Sequence, residues 1–277
     1  SRFYEEKRHF KKAHALSSVL MLDRERCIVC ARCTRFGEII AGDHALELVD
    51  RGFRTEVGTP HGTACKSKYI SNTISTCPVG ALTSQVYRFR ARPWDNTTQE
   101  STCTFCPVGC SVVYDSRDGE ILRTRAHENK QVNDIWLCDK GAFGYEFVAH
   151  PKRLKTAFIR KKGELVEASY DEALSLISEK MKSFKANKKI AGFGGNTLTT
   201  EESYIFQKLM REVLDVPHVD HRIGMPVPNL FEEAIAPGME LAISDIDHLD
   251  AAYLFGCDIT EEFPVLWLRM KQAINRG

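Results

Sequence analysis

The ten cysteines are the feature of this sequence that most restricts its fold and function. Eight of them fall into two sets of one form, in which three cysteines stand within seven or eight residues and a fourth follows at a distance. The first set is Cys27, Cys30, Cys33 and Cys77, and the second set is Cys103, Cys106, Cys110 and Cys138. Each set offers four sulfur ligands, three of them from a single loop.

Three kinds of chemistry use such cysteines. Disulfide bonds suit small secreted scaffolds, whereas this chain has 277 residues and a charged start that does not resemble a secretory signal. A structural zinc ion usually takes its ligands from two separated Cys-x2-Cys pairs. A cubane iron–sulfur cluster needs one thiolate for each iron, and a loop folded around one face delivers three of them. We therefore expect two [4Fe-4S] clusters, with zinc as the alternative.

The first triplet has the spacing of the bacterial ferredoxin run Cys-x2-Cys-x2-Cys-x3-Cys-Pro. Gly37 stands where that run has its fourth cysteine, so a second ferredoxin cluster is not supported. We expect Cys77, which precedes Pro78, to complete the first cluster. In the second set, the loop 107–109 lets backbone N–H groups approach sulfur.

The remaining chemistry-bearing residues are predicted to have ordinary roles. Cys65 and Cys257 are interpreted as small buried apolar residues, and no second ligand is close in sequence to Cys65. His127 and His150 are isolated in the sequence, and no acid and base groups converge. The sequence therefore predicts no catalytic residue.

Composition excludes some classes of protein. The chain is 43% hydrophobic and 27% charged, which is ordinary for a globular protein of about two domains. Lysine and arginine total 38 against 37 acidic residues, and this balance argues against nucleic-acid binding. No apolar run approaches the ~18–20 residues that span a bilayer. The chain lacks an initial Met, and we expect it to be an interior piece of a longer protein.

We predict four regions along the chain. Residues 1–20 are a basic linker from a missing N-terminal domain, and residues 21–94 form the first [4Fe-4S] domain. Residues 95–168 form a β-rich second [4Fe-4S] domain. Residues 169–277 form a truncated α/β domain, because strands alternate there with helices.

Local signals support these regions. Hairpin turns are predicted at 118–119 and 162–163, where Gly follows Asp or Lys. Capping boxes predict helices after Ser169 and Thr199, and a further helix begins at 265–268. Further strands are predicted at 19–22, 46–49, 190–193 and 251–256. Glycines 192, 194 and 195 are interpreted as a tight strand-to-helix turn rather than a phosphate site.

These motifs resemble the large iron–sulfur subunit (the G subunit) of bacterial NADH:quinone oxidoreductase, respiratory complex I. The resemblance rests on both cysteine sets, in this order, and on six runs of sequence around them. Those runs are 1–8, 22–27, 77–82, 88–92, 106–110 and 132–139. It covers residues 1–170 well and the remainder loosely.

The resemblance implies an electron-transfer subunit without a catalytic site of its own. The cluster on Cys27, Cys30, Cys33 and Cys77 would pass single electrons from the NADH/FMN side toward quinone, and the second cluster would lie aside from that path. Implied partners are the FMN/NADH-binding subunit and other Fe–S subunits of the peripheral arm. We expect no nucleic-acid partner. We expect contact with the membrane only indirectly, through the complex, at the cytoplasmic face of a bacterial inner membrane. The family has a further ferredoxin-like region before this point, so we expect a fragment.

The second half also resembles molybdopterin oxidoreductases such as formate dehydrogenase, at 138–141, 154–160 and 169–174. In that family a lysine at the position of Lys140 links the cluster to the pterin, and a Cys, selenocysteine or Ser binds the metal. The corresponding stretch, 219–226, offers no thiol, and a soft metal without its thiolate is disfavoured. We therefore expect no molybdopterin and a solvated or paired Lys140.

The predicted fold is thus an α+β cluster-binding region with ferredoxin-like loops, a small β-rich Fe–S domain, and an incomplete open α/β sheet of molybdopterin-oxidoreductase type. The alternative function is a fragment of a molybdenum-dependent oxidoreductase such as NAD-dependent formate dehydrogenase.

Overall fold

The computed structural model describes residue 9 and residues 11–186, 189–195, 197–221 and 241–276. The described residues fall into two compact units, one from the ranges 1–149 and 239–277 and one from 150–238. This division differs from the boundaries predicted from sequence. Both cysteine regions share the first unit, and the end of the predicted α/β domain lies with them, because its last helices pack there.

The strands are β1 (Ala13–Ala15), β2 (Leu20–Asp23), β3 (Glu47–Val49), β4 (Glu56–Gly58), β5 (Leu82–Ser84), β6 (Thr97–Thr102), β7 (Ser111–Arg117), β8 (Glu120–Ala126), β9 (Ala157–Lys161), β10 (Glu164–Ala168), β11 (Gly192–Phe193) and β12 (Val219–Asp220). The helices are α1 (Arg32–Arg35), α2 (Ser71–Thr76), α3 (Asp139–Phe143), α4 (Tyr170–Ala186), α5 (Thr200–Lys208), α6 (Ile259–Glu262) and α7 (Pro264–Arg276). A π-helical turn, Phe36–Ala41, continues α1. No described helix is both long and apolar enough to cross a membrane.

A three-stranded antiparallel sheet carries the first cysteine region. β2 lies between β1 and β5, and Leu22 is directly opposite Leu82. Leu20, Leu22 and Leu82 are buried in one core, because alternate residues of a strand point to the same face. The sheet therefore fixes the start of the loop that follows β2 and the end of the loop that precedes β5.

A second three-stranded antiparallel sheet, β6–β7–β8, carries the second cysteine region. Its β7–β8 hairpin turns at Asp118 and Gly119, which both have positive φ. The β9–β10 hairpin turns at Lys162 and Gly163 in the same way. Both predicted hairpins are confirmed, and positive φ at two central residues is the backbone that favours Asp and Gly there.

Asp115 anchors the second sheet from within. Its side chain is fully buried and accepts hydrogen bonds from Arg125 Nε (2.9 Å) and Nη2 (3.0 Å) and from Arg123 Nε. Burial raises the pKa of Asp115, but the hydrogen bonds and charges of Arg125 and Arg123 outweigh it and hold the pKa below its usual value. Arg123 also stacks over the ring of Tyr87.

The C-terminal helix α7 packs against the cysteine-bearing unit. Val265 and Leu268 are buried in the core that contains the second cysteine set. Trp267 Nε1 donates to the carbonyl of Ala41 (2.7 Å), and the buried Arg269 donates from Nε to the carbonyl of Val132 (2.7 Å). The helix predicted to begin at 265–268 is confirmed. It packs in the unit that contains the cysteines, whereas the sequence prediction placed it in the α/β domain.

The second unit confirms both predicted helix starts. Ser169 Oγ accepts from the Glu172 N–H (3.2 Å) before α4. Thr199 and Glu202 form a reciprocal capping box before α5, so two orphan N–H groups of that helix are satisfied. The predicted open sheet is represented in the described residues by one parallel pair, β11 with β12.

Two further sequence predictions concern glycine and strand positions. A Cβ on Gly192 would lie 2.8 Å from the ends of Met210 and Phe206. Close packing against these two side chains therefore accounts for glycine at position 192. The strand predicted at 251–256 is wrong: the segment is irregular, and Tyr253 and Phe255 are more than four-fifths exposed. An apolar run makes a strand only where a neighbouring strand pairs with its backbone.

Candidate metal centres

Two loops from one sheet form the first centre. Cys27 follows β2, and Cys77 ends α2 just before β5, which pairs with β2. The Asp23 N–H donates to the Ala81 carbonyl (2.8 Å) and ties the two loops together. Antiparallel pairing thus brings the distant Cys77 to the triplet.

The triplet loop has an unusual backbone. Val29 and Ala31, which each separate two cysteines, have φ values of 52° and 59°. Positive φ is a genuine outlier for a β-branched residue such as Val29. Strain of this kind costs about 1–3 kcal/mol and is concentrated at functional sites. The turn also directs the Val29 N–H onto Cys27 Sγ at 3.4 Å.

The four cysteines of the first set line one pocket. The rest of the lining is mainly apolar and includes Ile28, Val79 and Leu82. Cys33 is buried, and the other three sulfur-bearing side chains are half-buried. The sequence-predicted ligands of the first centre are therefore brought together in a largely apolar environment.

The second triplet occupies the loop of a hairpin. β6 pairs with β7 so that Thr102 is opposite Ser111, which leaves the cysteine loop between them. The Cys103 N–H donates to the Cys110 carbonyl (2.8 Å) and closes the loop. Gly109, at φ 63°, supplies the left-handed turn that the loop requires.

Cys138 reaches this loop from the start of α3. Its sulfur accepts from the Gly141 N–H at 3.4 Å. A Cβ on Gly141 would lie 2.7 Å from Leu137 Cδ1 and 3.4 Å from Cys103 Sγ. Glycine at this position therefore lets the first turn of α3 approach the sulfurs.

Asn133 organises the second centre, and sequence reasoning missed it. Its side chain is fully buried. Oδ1 accepts from the Ser111 N–H (2.8 Å), while Nδ2 donates to the carbonyls of His127 and Trp136 (both 3.1 Å). One amide thus joins the strand after Cys110 to the segment before Cys138. A single Asn in a polar run gave no signal of this role.

Burial dominates the electrostatics of the first set. It raises the pKa of Cys33 to about 11. Burial also raises the pKa of Cys27; the Val29 N–H acts in the opposite direction, and Cys77 and Cys30 raise it further.

Burial also raises the pKa values of cysteines in the second set. Burial raises the pKa of Cys138 to about 11 and raises the pKa values of Cys103 and Cys110 as well. The other cysteines of the set, including Cys106, add to the shift at Cys110. Four close thiols in a dry environment become thiolates only when a cation offsets their charge, as a coordinated metal does.

The arrangement fits a polynuclear cluster better than a single ion. Zinc requires four ligands at ~2.3 Å for sulfur from one point. Across the part of the chain that the structure describes, no group of three or more Cys, His, Asp or Glu side chains is placed to hold one metal ion. The four cysteines of the first set nevertheless line one pocket, and those of the second set share one core, whereas a cubane cluster takes one thiolate at each of its four irons.

The remaining candidates take lesser roles. Cys65 is half-buried, but Cys257 is exposed, so its interpretation as a buried residue is wrong; it lies in the irregular segment after 251–256. Lys140 is exposed and lies 3.5 Å from the carbonyl of Glu261. Of the stretch 219–226, residues 222–226 lie outside the described residues.

The two isolated histidines and Gly37 are also explained locally. His127 lies 3.6 Å from a carboxylate oxygen of Glu100, and His150 Nδ1 accepts from the Lys152 N–H. A Cβ on Gly37 would lie 2.8 Å from the Asp43 carbonyl oxygen. A cysteine would therefore not fit at Gly37 without a shift of the backbone.

Three family models match the chain in succession. The ferredoxin-like domain of NADH-quinone oxidoreductase subunit 3 matches residues 17–83. The Fe4S4 domain of molybdopterin oxidoreductases matches residues 96–150, and the molybdopterin oxidoreductase model matches residues 153–277. The matched ranges contain both cysteine sets, one in each of the first two.

Curated relatives match over nearly the whole chain. NADH-quinone oxidoreductase subunit 3 of Thermus thermophilus is 39% identical over 99% of this chain and 34% of its own length. The G subunit of the Streptomyces coelicolor NADH-quinone oxidoreductase is 35% identical over 99% and 34%. The alpha subunit of a Geobacter sulfurreducens NADPH-Fe(3+) oxidoreductase is 32% identical over 92% and 30%. The chain thus spans about a third of the length of these relatives.

Proposed function

Because this chain belongs to the family of the NADH-quinone oxidoreductase G subunit, also named subunit 3, we propose that it relays single electrons through two [4Fe-4S] clusters within such a complex. One observation supports the proposal: in each set three cysteines come from within eight residues, and the distant fourth lies in the same pocket in the first set and in the same core in the second. Electron relay through such clusters needs no acid–base residues.

The proposed ligands are the eight cysteines of the two sets. They are Cys27, Cys30, Cys33 and Cys77 for the first cluster and Cys103, Cys106, Cys110 and Cys138 for the second. When bound, such a cluster takes up and gives back one electron at a time, at a potential set by hydrogen bonds to sulfur, net charge and solvent exposure.

The surrounding residues prepare these sites. In the first, the apolar side chains of Ile28, Val79 and Leu82 line the pocket that contains the four cysteines. The N–H groups of Val29 and Gly141 each point at a sulfur, one in each site. An N–H aimed at sulfur stabilises the more negative, reduced state, so these donors raise the potential.

We assign different positions to the two centres. The first cluster is proposed to lie on the path from the NADH/FMN side toward quinone, and the second to lie beside it. The proposed partners are the FMN/NADH-binding subunit and the other Fe–S subunits of a peripheral arm. The proposed location is the cytoplasmic face of a bacterial inner membrane, reached through the complex.

The 153–277 region is proposed to keep the molybdopterin-oxidoreductase fold without binding the pterin. Lys140, the position that would link cluster and pterin, is exposed and faces the Glu261 carbonyl. The sequence at 219–226 contains no cysteine or serine. A molybdenum site would therefore lack its usual protein ligand.

Elemental analysis of the purified protein tests the cofactor assignment. Iron and acid-labile sulfide near eight atoms each per chain are expected for two [4Fe-4S] clusters. Zinc without sulfide would overturn the cluster proposal, and stoichiometric molybdenum would overturn the proposed absence of pterin chemistry.

Cysteine variants test the order of the two centres. Cys77→Ala in the assembled complex should remove the first paramagnetic signal and abolish NADH-to-quinone turnover. Cys110→Ala should remove the second signal and leave turnover per intact first cluster unchanged. Cys65→Ala, a half-buried cysteine outside both sets, is the matched control and should keep both signals. Turnover retained in Cys77→Ala would refute the on-path role.

A further inference from the structure

Helix α2 connects the two centres. It spans Ser71–Thr76, and its C-terminal end delivers Cys77, the distant ligand of the first set. Its other end contacts the segment 137–139, which contains Cys138, the distant ligand of the second set. One six-residue helix therefore touches the fourth ligand region of both centres.

Asn72 makes the central contact. Its Nδ2 donates to the Leu137 carbonyl (2.7 Å), and its Oδ1 accepts from the Leu137 N–H (3.0 Å). Nδ2 also donates to the Tyr69 carbonyl (3.0 Å). Asn72 and Leu137 are both almost completely buried. A two-way amide-to-backbone pair in a dry setting fixes both distance and orientation.

Further hydrogen bonds on both sides of Cys138 strengthen this contact. Asp139 Oδ1 accepts from the Ser71 N–H (2.8 Å), one of the free donors in the first turn of α2. The Asp139 N–H donates to the Lys68 carbonyl (2.8 Å). Residues 137 and 139 are thus both bonded to α2 or to the turn before it, and Cys138 lies between them.

We propose that Asn72 is a positioning residue that couples the two centres, so that occupation of one site pre-orders the distant ligand of the other. The inference rests on the proposed function, since it requires both sites to bind clusters. When the second cluster holds Cys138, segment 137–139 is fixed and α2 is fixed with it. Cys77 then meets the first triplet without a further ordering cost.

Through the same contacts, the second centre stabilises the first, a role that does not depend on electron transfer through the second cluster. A cluster that carries no through-current still stabilises the cluster that does, through one short helix. Coupling free energies between sites typically correspond to about 5–150-fold in affinity. Because two hydrogen bonds join Asn72 to the buried Leu137, we expect an effect of about tenfold, at the lower end of that range.

The test measures how fast an iron chelator removes the first cluster from the holo protein, followed by its paramagnetic signal. In the wild-type background, Cys110→Ala empties the second site and should accelerate loss of the first cluster about tenfold. Asn72→Leu removes the three hydrogen bonds and keeps a branched side chain with the same number of heavy atoms. By itself, this variant should also accelerate loss of the first cluster. In the Asn72→Leu background, Cys110→Ala should add little.

A matched control separates coupling from general weakening. Gln85 Nε2 donates to the Ser17 carbonyl (2.6 Å) and lies near the Leu20 carbonyl, within the first sheet only. In Gln85→Leu the effect of Cys110→Ala should remain about tenfold. If Asn72 had only a structural role, Cys110→Ala would still accelerate loss of the first cluster about tenfold in both the Asn72→Leu and the Gln85→Leu backgrounds. Asn72→Ser, a smaller change, should give an intermediate result and covers the case in which Asn72→Leu does not fold.

Two outcomes overturn the coupling. One is an unchanged rate of first-cluster loss in Cys110→Ala, and the other is an unchanged Cys110→Ala effect in both Asn72 variants. Failure of the proposed function is distinguishable, because the wild-type protein would then contain no iron and sulfide at all.

Discussion

Replacement of Asp115 by Asn should destabilise the second sheet without touching a cysteine. The carboxylate is fully buried and accepts three hydrogen bonds from Arg123 and Arg125. Asn keeps the shape but removes the charge and places a donor against two guanidinium groups.

The magnitude follows from the exposure of the partners. Breaking a fully buried ion pair costs ~3–5 kcal/mol, and each hydrogen bond to a charged group contributes ~1.5–3 kcal/mol. The side chains of Arg123 and Arg125 remain 26% and 41% exposed, so water recovers part of the loss. We expect the free energy of unfolding to fall by about 3 kcal/mol at pH 7.

The pH dependence gives a second measurement of the same pair. The pKa of Asp115 is lowered in the folded protein. Its stabilising effect is therefore complete above the ordinary Asp pKa of ~3.9 and disappears as the pH falls through the lower, folded-state value. The difference between wild type and Asp115→Asn should be constant from pH 7 to about 5 and shrink below about 4.

Urea unfolding, followed by a probe in the second sheet, measures this difference as a shift of the midpoint at unchanged slope. Asp118→Asn is the control: Asp118 lies in the β7–β8 turn, pairs only with Arg117 and is 89% exposed. It should change stability by less than ~0.5 kcal/mol. Equal effects of the two variants, or an Asp115→Asn effect that is as large at pH 3 as at pH 7, would refute the reasoning.

Three further outcomes are expected. Gly141→Ala should displace Leu137, whose Cδ1 lies 2.7 Å from the added carbon, and lower the iron content of the second site at least twofold; full occupancy would contradict the close approach of α3. Thr199→Ala should lower protection of the first α5 amides from hydrogen exchange by the equivalent of ~1 kcal/mol, and unchanged exchange would show that the cap contributes nothing. Gly192→Ala should overpack against Met210 and Phe206 and reduce the free energy of unfolding by ~1–3 kcal/mol, measured as a lower thermal midpoint, whereas an unchanged midpoint would mean that these two side chains give way freely.

Local chemistry made much of this protein predictable. Asp118-Gly119 and Lys162-Gly163 specify hairpins because few residues accept positive φ, and Thr199 with Glu202 specifies a helix start through two neighbouring bonds. The cysteine spacing in each triplet is likewise a local property, because it is contained within seven or eight residues.

Long-range contacts were not predictable in the same way. Asn72 and Leu137 are 65 residues apart, and Arg269 reaches Val132 across 137 residues. The residues next to Asn72 and Arg269 in the sequence do not indicate which distant backbone group each side chain will bind. The error at 251–256 has the same origin, because strand formation depends on a pairing partner that periodicity does not reveal.

The placement of α7 bears on the order in which the polypeptide matures during translation. Residues up to 149 emerge first, but their unit is completed only when 264–276 have also left the ribosome. At ~5–20 residues per second, the intervening stretch imposes a wait on the order of ten seconds. During that interval the nascent cysteine-bearing portion lacks the cover that Trp267 and Arg269 later provide.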